Sequence, residues 1–159
     1  MSLTPTQLET LKTAILADPA LAAQPNTADG AFVIAAAMNS QASPDFTVWK
    51  TSVGVDEIMQ NGFVWTTVDS MTVGKARIWD WMSKLGAINP SRPNVRQGLT
   101  DAFGSGTAMA NAIVPYLKRL ALRIEKLFAT GTGSVSVPAT LVFEGTISFQ
   151  DVQEARNLT

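Results

Sequence analysis

Hydrophobic positions in the opening stretch LTPTQLETLKTAILADP recur at helical spacing: Leu8, Leu11 and Ile15 share one face. Thr4 is expected as the N-cap, Pro5 at the first helical position, and Gln7 as the partner in a capping box. Leu3 and Leu8 fit a hydrophobic staple, and Asp18-Pro19 is expected to end the helix, since a residue before proline leaves the helical region. Thr27 then caps a second helix through FVIAAAMN, whose Ala35, Ala36 and Ala37 permit close packing. SPDFTVWKTS carries another start signal, with Ser43 as cap, Pro44 first and Asp45 in the first turn. VDEIMQNG predicts a short helix stopped by Gly62, and FVWTTVDS reads as irregular or briefly extended.

From Ser70 to Leu85 the pattern strengthens: Met71, Lys75, Ile78, Met82 and Leu85 predict a helix with Gly86 as its stop and an Asp80–Lys84 pair on its surface. NPSRPN reads as a loop, followed by a short helix on Val95, Leu99 and Phe103 that Gly104 closes. The longest predicted helix covers roughly Thr107 to Ala129, with Met109, Ile113, Leu117, Leu120, Ile124 and Leu127 along its face. Pro115 lies inside it and removes the bond to Asn111, so a kink or two abutting helices are expected there. The β-prone runs SVSV and TLVF, separated by Pro138, predict a hairpin-like segment over about 134–147. Ser148 caps a last helix, FQDVQEARN, over about 149–157. The expected fold is therefore mainly α, a compact multi-helix arrangement with one small β element, on a chain whose 159 residues suffice for one core and one domain.

The glycine-rich stretch ATGTG raises the question of a phosphate cradle. A P-loop runs strand, glycines, Lys-Ser/Thr, then a helix whose N-terminus faces the anion. Here a predicted helix precedes the glycines, no lysine follows them, and SVSVPAT offers neither a third spaced glycine nor a helix start. Gly131 is expected as the left-handed cap and Gly133 as the exit, with Lys118, Arg119, Arg123 and Lys126 in the last helical turns, complementing the dipole.

Composition narrows the chemistry. The chain has no Cys and no His. Zinc sites on thiolate or imidazole are excluded, as are Ser-His-Asp and Cys-His nucleophilic pairs. Any proton transfer would fall to carboxylates, Lys or Tyr116. Asp56 and Glu57 are adjacent and do not face one another on a helix, and Asp56, Asp69 and Asp101 lack the spacing of a magnesium site. The expectation is a non-enzyme with no catalytic residues, no metal ligands and no cofactor. No basic leader precedes an apolar run, and the longest such run, Ala31–Met38, is too short for a bilayer, so a soluble protein without membrane contact is expected.

Charged residues make up only 16 % of the chain and are segregated: residues 1–69 carry two bases and seven acids, residues 75–126 nine bases and three acids. Such polarity suits complementary contact between subunits, a face toward nucleic acid, or mutual neutralisation inside one fold. Lys75, Arg77, Lys84, Arg92, Arg96, Lys118, Arg119 and Arg123 are the candidates for an interface or DNA-facing patch. Of Trp49, Trp65, Trp79 and Trp81, the pair Trp79 and Trp81 cannot share a helix face, so one belongs to the core and the other to the surface or to an interface.

Three stretches, LTPTQLETLKTAILADPALAA, VDEIMQNGFVWTTVDSMTVGKARIWDWM and LFATGTGSVSVPATLVFEGTISFQDVQEARN, together resemble a family of small proteins of tailed bacteriophages and prophages. The resemblance implies a part encoded among head and tail structural proteins: a head-completion or head–tail neck subunit. Such a subunit would form a homo-oligomer and contact other phage structural proteins, in the host cytoplasm during assembly and then in the virion. It implies no catalytic residues. Nonspecific nucleic-acid binding is the alternative.

Overall fold

The computed structural model describes residues 3–158. It is mainly helical. In chain order the elements are α1 (Pro5–Ala17), α2 (Pro19–Ala22), α3 (Ala28–Met38), β1 (Thr47–Trp49), β2 (Val53–Gly54), α4 (Val55–Asn61), α5 (Trp65–Asp69), α6 (Val73–Ser83), β3 (Ala87–Ile88), α7 (Pro93–Phe103), α8 (Ala108–Ile113), a 3₁₀ turn (Val114–Leu117), β4 (Lys118–Leu120), α9 (Arg123–Phe128) and α10 (Phe149–Asn157). Among the described residues the buried apolar side chains cluster in two compact units: 1–46 with 120–159, and 47–119.

The first unit packs α1, α3, α9 and α10 around Leu8, Leu11, Ile15, Ile34, Met38, Ile124 and Val152. Local chemistry starts its helices. The Thr4 hydroxyl accepts from the Gln7 N–H while the Gln7 side chain accepts from the Thr4 N–H. Thr27 caps α3 through the Gly30 N–H, and Ser148 caps α10 in a box with Asp151. Asp18 ends α1 and caps α2, accepting from Ala20 and Leu21, and the same carboxylate takes a charge-assisted bond from Arg123. The Asn39 side chain clasps Ile147, donating to its carbonyl at 2.8 Å and accepting from its N–H at 2.9 Å, which ties the C-terminal segment to the end of α3.

The Arg123 bond, with the backbone bonds from Leu21 and Ala20, holds the Asp18 carboxyl below its ordinary value. A depressed folded-state pKa means the contribution is present above the unfolded value and is lost as the pH falls through the folded one. Wild-type stability, followed by urea unfolding at a series of pH values, is therefore expected to drop as the pH is lowered from about 5 toward 2 by more than that of Asp18→Asn, given an unfolded Asp pKa of about 3.9. Parallel curves would show that the pair does not contribute.

The second unit collects Val53, Ile58, Phe63, Trp79, Ile88, Leu99, Phe103, Met109, Ile113 and Leu117. β2 and β3 pair antiparallel, Val53 opposite Ile88, and β1 pairs with β4. Gly62 ends α4, where a Cβ would press on the Ala112 carbonyl and the Tyr116 ring. Gly104, at φ 83°, caps α7 in a conformation that favours glycine; α6 ends at Ser83 with Lys84 as its cap, and Gly86, at φ 72°, lies in the turn beyond.

Several expectations change. The helix expected from Thr107 to Ala129 is four elements: α8, the 3₁₀ turn, β4 and α9. Pro115 cannot donate to Asn111, and beyond it Lys118–Leu120 finds a strand partner in β1. Met109, Ile113, Leu117 and Ile124 are all buried, but not as one face. The stretch after Ser43 is not a helix; Thr47, Val48 and Trp49, all good strand formers, become β1. Trp65–Asp69, expected irregular, is a short helix, and the helix expected from Ser70 starts later, with Thr72 as its cap. SVSV and TLVF form no strand; the hairpin-like segment is a loop closed by the antiparallel bridge Thr130–Thr140.

The glycines of ATGTG do not cap a helix either. α9 ends at Phe128 with Ala129 extended, because Thr130 exchanges both backbone bonds with Thr140 at 2.9 Å. Gly131 (φ 117°) then passes against Ala139, and Gly133 (φ 66°) lies beneath the Phe46 ring, which a Cβ would overlap. Gly133→Ala is expected to lower stability by about 1–3 kcal/mol in a chemical melt, from overpacking together with a left-handed backbone. A loss below about 0.5 kcal/mol would mean that the loop relaxes around the methyl group.

Candidate contact surface

Helix α6 is built so that its two tryptophans part ways. Thr72 caps it, its hydroxyl accepting from the Lys75 N–H. Trp79 turns inward, 7 % exposed, stacked on Phe63 at 5.2 Å between centroids and against Phe103 at 5.1 Å. Trp81, two residues on, is 66 % exposed. Steps of four residues place Val73, Arg77 and Trp81 along the outer face, and Leu85 continues the line just past the helix end. Val73 is 70 % and Leu85 68 % exposed, so the face carries three large apolar groups interrupted by one cation. Asp80 and Lys84 pair at 2.7 Å with both side chains largely solvated, which stabilises little.

The eight candidate cations have different surroundings. Arg123 belongs to the first unit, where Asp18 holds it. Lys84 is engaged by Asp80. Arg96 is half-buried, donating from Nη1 to the carbonyls of Pro90 at 2.7 Å and Ser91 at 2.8 Å. Lys118 and Arg119 sit in β4, half-buried, rather than in a last helical turn. Lys126 alone of the cations expected at that end lies in the last turn of α9, its Nζ 5.5 Å from the Phe46 ring centroid. Lys75, Arg77 and Arg92 remain exposed, on α6 and at the start of α7.

The charge segregation seen along the chain survives folding in another form. The first unit carries eight acids and four bases, a net of −4; the second carries five acids and eight bases, a net of +3. The apolar stripe of α6 thus stands on the positive unit.

A second feature of that unit was not legible beforehand. A cavity of about 330 Å³ opens beside Trp49, lined by Arg96, Leu99, Thr100, Asn111, Ile113 and Leu117 among others. The Arg96 guanidinium lies 4.9 Å and the Lys118 ammonium 5.2 Å from the centroid of the Trp49 ring. Burial pushes both cations below their ordinary pKa. Trp49 and Arg96 lie 47 residues apart, so no local motif announces the pair. Elsewhere Glu57 is bound by Lys50 at 2.8 Å, and no three carboxylates converge on a common point among the described residues.

None of the described helices is long and apolar enough to cross a membrane. Compared with known proteins, the chain matches no protein-family model, no curated protein and no solved structure.

Proposed function

We propose that this chain is a structural or assembly subunit of a tailed-bacteriophage particle, a head-completion or head–tail neck component acting by protein–protein contact and assembling with copies of itself. The observation that carries the reading is the exposed Val73–Arg77–Trp81–Leu85 stripe on a unit of net positive charge, in a chain whose other unit is net negative. Exposed Trp and Arg together are the side chains that most often anchor an interface. The occupant we assign to the stripe is the acidic unit of a second copy, a head-to-tail contact that repeats around a ring. An inventory without thiol or imidazole, and the resemblance of three long stretches to phage structural proteins, support the same reading. In this reading the protein is made in the bacterial cytoplasm and ends in the virion, beside other structural proteins.

Size-exclusion chromatography with light scattering tests it. The wild type is expected to give an oligomer that shifts toward monomer in Trp81→Ala and in Arg77→Glu, and that weakens in high salt. A monomer at the highest attainable concentration, with no binding to portal or tail proteins, would overturn it.

A second reading, nonspecific nucleic-acid contact, draws on the net charge of +3 in the second unit and its exposed Lys75, Arg77 and Arg92. Filter binding separates the two, because phosphate contacts are strongest at low salt; absence of DNA retention at about 50 mM salt removes this reading.

A further inference from the structure

We propose that the cavity beside Trp49 is a binding site for a small organic carboxylate with an apolar body. Its inner wall is apolar: Leu99, Ile113 and Leu117 are each less than 7 % exposed. Arg96, Thr100 and Asn111 supply polar groups on its lining. This combination, an apolar hollow with a few polar groups fixing orientation, is the usual make-up of a small-molecule site, and about 330 Å³ lies at the small end of the range for such sites.

The charge is what specifies the ligand. Arg96 forms no ion pair with any carboxylate among the described residues; its bonds go from Nη1 to two backbone carbonyls. Those bonds fix the guanidinium against the Trp49 face, and among the described residues no acceptor engages Nε or Nη2. The Lys118 ammonium lies beside the same ring. A half-buried guanidinium without a carboxylate is short of an anion, and a carboxylate meets its planar donors bidentately. One guanidinium and an apolar wall suit a single negative charge on an apolar body. A peptide running across the surface would need a longer groove than a cavity of this size.

The site is distinct from the α6 stripe and does not depend on the virion reading. The test is titration of the full chain with N-acetylphenylalanine, followed by ¹H–¹⁵N chemical-shift changes, with N-acetylphenylalanine amide as the uncharged control. The acid is expected to shift the backbone amides of Trp49, Thr100 and Asn111 and to bind about tenfold more tightly than the amide, a typical size for loss of one charge-assisted contact. Arg96→Gln is expected to remove that preference. Because Arg96 also holds the Pro90–Ser91 turn, a second variant, Ala110→Phe, fills the cavity from its lining and leaves Arg96 in place; it is expected to abolish binding of both compounds. Equal affinity for acid and amide, unchanged binding in Ala110→Phe, or no shifts near Trp49 at millimolar ligand would each overturn the proposal.

Discussion

Replacing Trp79 by alanine is expected to lower the unfolding free energy by about 3–5 kcal/mol, the usual cost of emptying a buried aromatic site. Trp79 is the meeting point of the second core: its ring contacts Phe63 and Phe103, and Phe63 also meets Phe103 and Trp65 edge-on. Two short helices, α5 and α8, lie around this cluster and have little cooperativity of their own, so α6 and α7 cannot close over the void without moving them. Trp81→Ala on the opposite face is expected to change stability by no more than about 0.5 kcal/mol, as for an ordinary surface position. Urea melts followed by far-ultraviolet circular dichroism check both. The pair also separates folding from assembly: the first variant loses stability, while the second keeps its fold and, on the reading proposed above, loses its oligomer. A Trp79→Ala loss below about 1 kcal/mol would mean that the aromatic cluster repacks.

Removal of the Glu125 carboxylate is expected to cost about 1–3 kcal/mol, because two half-buried N–H groups lose their charged acceptor at once. Glu125 is 1 % exposed. Its Oε2 accepts from the Leu122 N–H at 2.8 Å and its Oε1 from the Gly145 N–H at 2.9 Å. One carboxylate thereby starts α9 and fixes the loop that leads to α10. Glu125→Ala removes both acceptors, whereas Glu125→Gln keeps one oxygen and is expected to lose less. Thermal unfolding gives the stability order, and hydrogen exchange at the Gly145 amide reads the loop directly; unchanged protection there in Glu125→Ala would sink the assignment.

These two residues show what a linear reading reaches. The helix on Leu8, Leu11 and Ile15 was predictable to its first residue, since Thr4, Pro5 and Gln7 all act within one turn. The same holds for Thr27 before α3 and Ser148 before α10. Glu125 was not legible as a cap, because the residue at the cap position is Leu122, which has no side-chain acceptor; only the backward reach of Glu125 does the work. The stretch from Thr107 to Ala129 misled for a related reason. Met109, Ile113, Leu117 and Ile124 recur at helical spacing and are buried, yet in different elements, while Leu120 is exposed, and the strand at 118–120 exists only because Thr47–Trp49 is there to pair with it. Among the basic residues, chain order suggested one group, while Asp18, Asp80 and two carbonyls from distant or neighbouring turns engage three of them.

By itself the sequence determined the chemical inventory, the mainly helical class and most helix starts, because these depend on composition and on groups three or four residues apart. Tertiary structure alone decided how the buried side chains of the described residues divide between two clusters, that Trp79 is interior while Trp81 faces outward, and that Trp49, Arg96 and Lys118 meet at a cavity. Those outcomes rest on pairings between residues tens of positions apart, whose energies act only once the chain has brought them together.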